Sequence, residues 1–267
     1  MRRASAGETP PRVSVVVQDI GEHARVARIA VDNQSKLNTL NSALMEQFVA
    51  AVEPLGEDDL LRAVIVTGAG ERAFIGGADI NEMAQLDAGS AEAFITRLHS
   101  CCEVLRALPV PVIARIQGYT LGGGLELAAA CDIRIAADTA IFGMPEVKLG
   151  IPSVIEAALL PRLVGWGRAR EILLLGENFS AADAERWGLV ERVVPRAELD
   201  AAVEQRIASL LQAGPVAIRL QKKLIRDWEA LPLREAIRAG IDSFAKAWTT
   251  DEPRIRMNAY QSAKRQR

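Results

Sequence analysis

Three consecutive glycines at positions 122–124 constrain the fold of this chain more than any other feature of its sequence. They lie in residues 118–126, GYTLGGGLE, between a predicted buried strand, Val112–Ile116, and a predicted helix. A second glycine-rich segment, residues 73–79, follows a strand predicted over residues 62–67. Glycine has no Cβ, so both segments can turn sharply and leave backbone N–H groups unobstructed. The chain must therefore place at least one such turn at the start of a helix.

Strand and helix patterns alternate up to about residue 145, and the remainder of the chain is predominantly helical. Ser180 followed by Asp183 is typical of a helix capping box. The predicted strands cover residues 13–17, 26–31, 62–67, 112–116, 133–135 and 140–142. The predicted helices cover residues 38–55, 90–108, 122–130 and 168–175, start again at 180, and continue around 197–212, 215–229, 233–248 and 252–264. We therefore expect an α/β core followed by an all-helical C-terminal third.

The length and charge of the chain exclude several classes of protein. Its 267 residues suffice for one large domain or two small ones, at a prior of about 150 residues per domain. A net charge of −2, with 49% hydrophobic and 25% charged residues, is typical of a globular protein without a nucleic-acid-binding surface. Residues 1–12 lack a signal-peptide core, and no uncharged apolar run reaches the ~18 residues of a membrane span. We expect a flexible N-terminal tail over residues 1–12 and neither a nucleic acid nor a membrane as partner.

Cysteines and histidines are too few and too scattered for several common kinds of site. Cys101 and Cys102 are adjacent and Cys131 is the third, which fits neither a disulfide framework nor a zinc site. This usage indicates a reducing compartment, so we expect a cytoplasmic protein without a metal. His23 and His99 are far apart in the sequence, and we expect no histidine-based triad.

Two segments superficially match nucleotide-binding motifs. Residues 68–73 fit G-x-G-x-x-[GA] after a strand, but Gly76 and Gly77 interrupt the helix that must follow. In residues 118–124, Gly124 stands where a phosphate loop requires lysine. We expect neither dinucleotide binding nor nucleotide hydrolysis. The four tryptophans, Trp166, Trp187, Trp228 and Trp248, are expected to anchor the core.

The two glycine-rich segments together could form a site for a developing negative charge. A pair of backbone N–H groups, one at a helix N-terminus, can hold a carbonyl oxygen as it becomes negative. For either segment alone, a tight turn or close helix packing is the simpler interpretation. Glu126 and Glu146 are expected near this site, where apolar surroundings would raise the pKa of a carboxyl. Alternatively, Glu126 is only a first-turn residue favoured by the helix dipole, and Glu146 a solvated loop residue.

Five segments in the same order make the sequence similar to the crotonase family, the enoyl-CoA hydratases and isomerases, over nearly the whole chain. They are residues 73–80 (AFIGGADI), 118–128 (GYTLGGGLELA), 131–133 (CDI), 142–150 (FGMPEVKLG) and 188–195 (GLVERVVP). The resemblance implies an α/β crotonase (ClpP-like) fold of repeated ββα units. It implies a core with the CoA thioester site over residues 13–195 and a helical oligomerisation region over residues 196–267. We expect a homotrimer, or a hexamer built as a dimer of trimers.

The resemblance also implies roles for individual residues. The N–H groups of Ala78 and Gly123 would bind the thioester carbonyl oxygen of an acyl-CoA substrate. Glu126 would orient and deprotonate the water that adds at Cβ, and Glu146 would protonate Cα, giving a 3-hydroxyacyl-CoA with no metal and no cofactor beyond the CoA of the substrate. The implied CoA contacts are Lys36, Leu37, Ala78, Asp79, Ile80 and Gly123, together with Tyr260 and Lys264 in a basic C-terminal helix.

Two regions leave alternatives open. Residues 254–267 carry five basic and no acidic residues, and could be a solvated terminus instead of a CoA contact. Residues 151–157, IPSVIEA, depart from the family pattern, which has glycines here and about one residue more. We expect this segment to border the acyl pocket and to favour a short, branched or polar acyl chain. Within it, Glu156 could take part in proton transfer or stabilise a helix N-terminus.

The predicted function is that of an enoyl-CoA hydratase. One alternative is another reaction of the same fold, such as double-bond isomerisation. The other is a non-catalytic family member that binds acyl-CoA or RNA.

Overall fold

Two β-sheets and the helices around them form the fold in the computed structural model, which describes residues 10–265. The strands are β1 (Arg12–Asp19), β2 (Arg25–Asp32), β3 (Leu61–Gly68), β4 (Ala73–Ile75), β5 (Val112–Ile116), β6 (Tyr119–Leu121), β7 (Ile133–Ala137), β8 (Ile141–Gly143), β9 (Asn178–Ser180) and β10 (Arg192–Val194). The α-helices are α1 (Ser42–Val52), α2 (Ile80–Met83), α3 (Ala88–Ala107), α4 (Gly123–Ala130), α5 (Leu160–Leu175), α6 (Ala181–Arg186), α7 (Leu199–Gln212), α8 (Pro215–Ala230), α9 (Leu233–Ala247) and α10 (Glu252–Arg265). Short 3-10 helices occupy Gln34–Lys36, Glu53–Glu57, Pro145–Leu149, Ile155–Leu159 and Arg196–Glu198.

The larger sheet has the strand order β1-β2-β3-β5-β7-β10. Strands β1 and β2 form an antiparallel hairpin, with Arg12 opposite Asp32, and the later neighbours are parallel. The smaller sheet has the order β4-β6-β8-β9 and is parallel except between β8 and β9. Strands β3 and β5 consist mainly of valine, isoleucine and alanine, as expected for parallel strands covered on both faces.

Three ββα units repeat along the core. In the pairs β3–β4, β5–β6 and β7–β8, the first strand joins the larger sheet, the second joins the smaller one, and helical segments follow. The predicted α/β class, the repeated units and the helical C-terminal region are thereby confirmed. The units differ in length, so the repetition leaves no fixed period in the sequence.

Helices cover both faces of the larger sheet. Val64 and Val66 of β3 belong to a core shared with α1, α3 and α4, whereas Ala63 and Ile65 pack against α7. Alternate residues of a strand point to opposite faces, so one strand serves both cores. Helix α4 is buried along its whole length and packs against β4, β6, α3 and the 3-10 helix Ile155–Leu159.

Most predicted elements are confirmed within a few residues, and the differences have local causes. Helix α1 begins at Ser42 instead of residue 38 because the Asn41 side chain caps it, accepting a hydrogen bond from Leu44 N–H (2.9 Å). Helix α5 begins eight residues earlier than predicted, at Leu160 and not at 168, and Gly165 interrupts it with a φ of 76°. The predicted capping box at Ser180 is present.

The prediction that the tryptophans anchor the core is wrong for three of the four. Trp166 is 66% exposed, and Trp228 and Trp248 are exposed as well. Trp187 alone packs against the core, beside Phe179. The physical reason is that the exposed rings lie on or next to helices whose apolar surface does not all pack against the sheets.

The N-terminal prediction falls mainly on residues outside the described part of the chain. Residues 1–9 of the predicted tail are not described, and Arg12, its last residue, is the first residue of β1. Among residues 10–265, no helix has both the length and the apolar character needed to cross a bilayer.

Asn38 is a buried amide that joins three loops. Its backbone is left-handed, with a φ of 58°, a conformation that asparagine tolerates better than most residues. Its side chain accepts a hydrogen bond from Asn33 N–H (3.0 Å) and donates to the carbonyls of Ala69 (2.9 Å) and Ala73 (3.0 Å). Asn38 therefore fixes the start of β4, from which the glycine-rich segment 73–79 continues.

We expect Asn38→Ala to lower the free energy of unfolding by about 3 kcal/mol, because buried backbone groups lose their partner and alanine is disfavoured at this φ. Urea unfolding of the purified variant measures the change. The exposed Gln18→Ala on β1 is the control, with a change within about 0.5 kcal/mol. A loss below about 1 kcal/mol for Asn38→Ala would contradict the assigned role.

Candidate active site

The two glycine-rich segments meet at one edge of the smaller sheet. Strand β4 pairs in parallel with β6, with Ala73 opposite Tyr119. Because parallel strands end at the same edge, the turns that follow β4 and β6 lie side by side. A Cβ placed on Gly77 in the first turn would lie 3.9 Å from the backbone nitrogen of Gly123 in the second.

The Ala78 N–H is directed away from the neighbouring chain segment. Leu40 N–H donates to the carbonyl of Gly77 (2.9 Å), and Asp79 N–H donates to the carbonyl of Leu40 (2.8 Å). In such a parallel bridge Leu40 bonds to the residues on either side of Ala78, so the Ala78 N–H points to the opposite side. Ala78 lines a cavity there.

The Gly123 N–H lies at the start of a buried helix. Gly123 is the first residue of α4, so its N–H has no acceptor within the helix, and the helix dipole adds partial positive charge. The preceding residue, Gly122, has a φ of 51°, which a residue with a Cβ rarely adopts. A Cβ on Gly123 would overlap the side chain of Leu98. The expected pair of N–H groups therefore borders one cavity.

The cavity has a volume of about 620 Å³ and lies between these turns, the start of α3 and residues 149–154. Its size is that of a small-molecule site. Most of its lining is apolar, and Glu126 and Glu146 contribute two carboxylates. The apolar lining includes Met83, Phe94, Leu98, Ile151, Pro152 and Val154.

Glu126 is a buried carboxyl in the first turn of α4. Its exposed fraction is 3%, and Oε1 accepts a hydrogen bond from Ala157 N–H (3.1 Å). The pKa of Glu126 is raised to about 8, first by burial and also by the charges of Glu146 and Glu156. The hydrogen bond from Ala157 opposes this rise. A carboxyl with this pKa can gain or lose a proton near neutral pH.

Glu146 lies on the 3-10 helix Pro145–Leu149 and is half-buried. The Ser153 hydroxyl donates a hydrogen bond to its Oε2 (2.8 Å). Its Oε1 leaves no room for a Cβ on Gly122. Glu146 is therefore held beside the start of α4, where it lines the cavity.

Four of the expected CoA-binding residues lie together at the edge of this site. Lys36 Nζ donates to Asp79 Oδ2 (2.8 Å). Burial would raise the pKa of Asp79, but hydrogen bonds from Lys36 and Asn81 lower it overall. The carbonyl of Leu37 accepts a backbone hydrogen bond from the same glycine-rich segment (2.9 Å), and Ile80 lines the cavity.

In the described part of the chain, residues 10–265, Tyr260 and Lys264 do not line the cavity. Both lie on α10, and both are exposed. The start of α10 is fixed instead to α8, because Glu252 accepts hydrogen bonds from the N–H groups of Val216 and Ala217 (3.0 Å each). Their predicted contact with CoA stays a prediction.

The groups that support the two glutamates are not predicted by the sequence. Ser153, which binds Glu146, and Ala157, which binds Glu126, both lie in the segment that departs from the family pattern. That departure is the only sequence signal for them. Glu156 is buried in the first turn of the 3-10 helix Ile155–Leu159, but its side chain extends to His99 on α3 (Oε1 to Nδ1, 2.9 Å).

Two backbone N–H groups and two carboxylates around an apolar cavity, carried by repeated ββα units, define a crotonase-fold enzyme. The model of the enoyl-CoA hydratase/isomerase family matches residues 21–266. The chain belongs to this family, which confirms the family assignment and the fold that the sequence predicts.

Individual relatives are similar to this protein over most of its chain. The short-chain-enoyl-CoA hydratase of Clostridium acetobutylicum is 34% identical over 240 residues, 90% of this chain and 92% of that protein. The crotonyl-CoA hydratase of Syntrophomonas wolfei is 35% identical over 237 residues, 88% of this chain and 91% of that protein. The crystal structure of an enoyl-CoA hydratase from Bacillus anthracis is similar with a TM-score of 0.86 at 34% identity, covering 95% of this chain and 96% of that one.

The raised pKa of Glu126 links its burial to stability. The folded protein binds this proton up to about pH 8, whereas the unfolded chain releases it near the ordinary value of 4.5, so stability falls as the pH rises between these values. We expect the titration of Glu126 to lower the free energy of unfolding of the wild type by roughly 4 kcal/mol between about pH 5 and 8.5, and we expect no such loss in Glu126→Gln. Urea unfolding of both proteins at the two pH values measures the difference. An equal loss in both proteins would contradict a buried, titrating Glu126.

Proposed function

We propose that the protein is an enoyl-CoA hydratase that adds water across the 2,3 double bond of an enoyl-CoA thioester. The observation that carries the proposal is the convergence of Glu126, Glu146 and the N–H groups of Ala78 and Gly123 on one apolar cavity. The named hydratases among its relatives support the same reaction. The product is a 3-hydroxyacyl-CoA.

In this proposal the two N–H groups stabilise the enolate. The thioester oxygen lies between Ala78 N–H and Gly123 N–H and gains negative charge as water adds at Cβ, and one such donor typically contributes about 2.7–4 kcal/mol to the transition state. Glu126 orients and deprotonates the water, and Glu146 protonates Cα. The pKa of about 8 at Glu126 suits a group that must take up a proton and release it again.

The CoA moiety is proposed to lie along Lys36, Leu37 and residues 78–80. Lys36 is half-exposed beside Asp79, so it can also reach a phosphate in solvent. Tyr260 and Lys264 are proposed to contact a CoA bound to a neighbouring subunit, since α10 does not reach the cavity of its own chain. No metal and no cofactor other than the CoA of the substrate is included in the proposal.

A short acyl chain is the proposed substrate. Ile151, Pro152 and Val154 line the cavity, where the family pattern has glycines and therefore smaller side chains. Relatives named for short-chain and crotonyl substrates support the same range.

The C-terminal region, residues 196–267, is proposed to join the chains into a homotrimer or a hexamer. On α9, Leu233, Ile237, Ile241 and Phe244 are exposed at spacings of three and four residues, which places them on one helix face. A second copy of the chain would cover this apolar face. The cytoplasm is the proposed compartment, supported by three buried free thiols, Cys101, Cys102 and Cys131.

Hydration of crotonyl-CoA tests the proposed roles of the two glutamates. We expect Glu126→Gln and Glu146→Gln each to lower kcat by about a thousandfold, because each removes one proton-transfer group, while acyl-CoA binding is retained. Loss of the enoyl-thioester absorbance measures hydration, and calorimetry with a saturated acyl-CoA measures binding. Glu22→Gln, on the exposed turn between β1 and β2, is the matched control.

Two results would overturn the assignment. A wild type that binds acyl-CoA but hydrates neither short, long nor branched enoyl-CoAs would exclude the hydratase. A Glu126→Gln variant that loses hydration but still shifts the double bond would assign isomerisation as the main activity.

Lys36→Ala tests the proposed CoA contact. We expect KM for crotonyl-CoA to rise about tenfold with kcat within about twofold, because one charge-assisted contact far from the double bond is lost. The difference should shrink at high salt, since an exposed pair is screened. Lys223→Ala, which removes an exposed lysine of α8, is the control. An unchanged KM would place CoA elsewhere.

A further inference from the structure

Glu156 is a second buried carboxylate near Glu126, and it is not among the residues that line the cavity. Glu156 has 8% of its side chain exposed, and Oε1 lies 2.9 Å from Nδ1 of His99 on α3. Its Oε2 is buried and has no hydrogen-bond partner among residues 10–265. The contact with His99 is therefore the close polar contact of this carboxylate among residues 10–265, and a buried charge without a partner would be costly.

The turn that carries Glu156 is strained. The preceding residue, Ile155, has a φ of 36°, in a region that a β-branched side chain rarely occupies. Such a conformation persists only where the surrounding structure holds it. The His99–Glu156 contact joins the adjacent residue to α3, 57 positions earlier in the chain, and so supplies a fixed point for the turn.

The same turn is hydrogen-bonded to Glu126. Ala157, next to Glu156, donates its N–H to Glu126 Oε1 (3.1 Å). We propose that His99 and Glu156 are positioning residues for Glu126, because their contact holds the strained turn 154–157 and thereby keeps the Ala157 N–H on the Glu126 carboxyl. The inference rests on the proposed function, in which Glu126 is the base that activates water.

The pair also brings charge to the site. The titratable groups that meet here are Glu126 from α4, Glu146 from the 3-10 helix Pro145–Leu149, His99 and Cys102 from α3, and Glu156 itself. The Glu156 charge raises the pKa of Glu126, and the Ala157 hydrogen bond lowers it. His99 and Glu156 therefore affect both the orientation of the base and the pH at which it is ionised.

The Glu156→Gln variant separates charge from geometry. Glutamine keeps the size of the side chain and a carbonyl oxygen that accepts a hydrogen bond from His99, but removes the negative charge. Ionised Glu126 is the proposed active form, so kcat/KM for hydration rises with pH through its pKa. We expect that rise to move to lower pH by about one unit in Glu156→Gln, because a like charge is gone, with kcat at high pH within about threefold of wild type.

Variants of His99 test the geometry. We expect His99→Ala to lower kcat about tenfold with KM within about twofold, because a misplaced catalytic group slows chemistry without weakening CoA binding. His99→Gln, which restores a hydrogen-bond donor, should recover most of this loss. The chain offers a matched control in His23→Ala, the other histidine, whose side chain is 89% exposed.

The proposal requires both effects. It is overturned if the midpoint of the rise of kcat/KM with pH in Glu156→Gln lies within about 0.2 unit of the wild-type midpoint. It is also overturned if kcat of His99→Ala equals kcat of His23→Ala. If His99→Ala does not fold, the pH dependence of kcat/KM in Glu156→Gln and the kcat of His99→Gln test the proposal.

Failure of the proposed function can be distinguished from failure of the pair. If the wild type hydrates no enoyl-CoA, the hydratase assignment is wrong, and the ionisation of Glu126 is followed directly by infrared difference spectra against Glu126→Gln. The protonated-carboxyl band of Glu126 should then disappear at lower pH in Glu156→Gln than in wild type. An unchanged titration would overturn the role of Glu156.

Discussion

The whole site depends on the pairing of two strands of only three residues each, β4 and β6. Strands this short contribute little stability alone, and two buried amides hold them from outside. The side chains of Asn38 and Gln117 both donate to the carbonyl of Ala73 (3.0 and 3.1 Å), and the Thr67 hydroxyl, on the larger sheet, donates to Gln117 (3.0 Å). A slip of β4 by one residue would reverse every side chain and N–H along it, so that Ala78 would no longer face Gly123.

The parts of this structure that depend on neighbouring residues can be predicted from the sequence. Hydrophobic periodicity, the capping box at Ser180 and the glycine runs act over a few positions, and these elements form where they are expected. Contacts between distant segments cannot be predicted in the same way. Asn38 and Ala73 are 35 positions apart, and His99 and Glu156 are 57 apart. Such contacts depend on how the sheets bring the loops together, and no local pattern in a single sequence encodes that arrangement.

The tryptophan prediction fails for a reason that concerns the C-terminal helices as a group. Burial of a large aromatic ring is stabilising whichever surface covers it, so an apolar ring in a sequence does not reveal whether its own chain will bury it. Trp228 on α8 and Trp248 after α9 are exposed in the single chain, as are several aliphatic residues of α9. A tryptophan in this region therefore indicates apolar surface, and not that its own chain buries the ring.

Helix α4 is buried at every position, and Gly124 has no space for a Cβ against the carbonyl of Ile75. Almost any substitution in this wall of the cavity would therefore disturb the backbone that carries Glu126. Other lining residues differ, because Ile80, Ile151 and Val154 are each more than one-third exposed. In evolutionary terms, descendants of this chain can change such positions at a smaller cost in stability than α4, so new acyl specificities would arise there while the reaction itself is inherited unchanged.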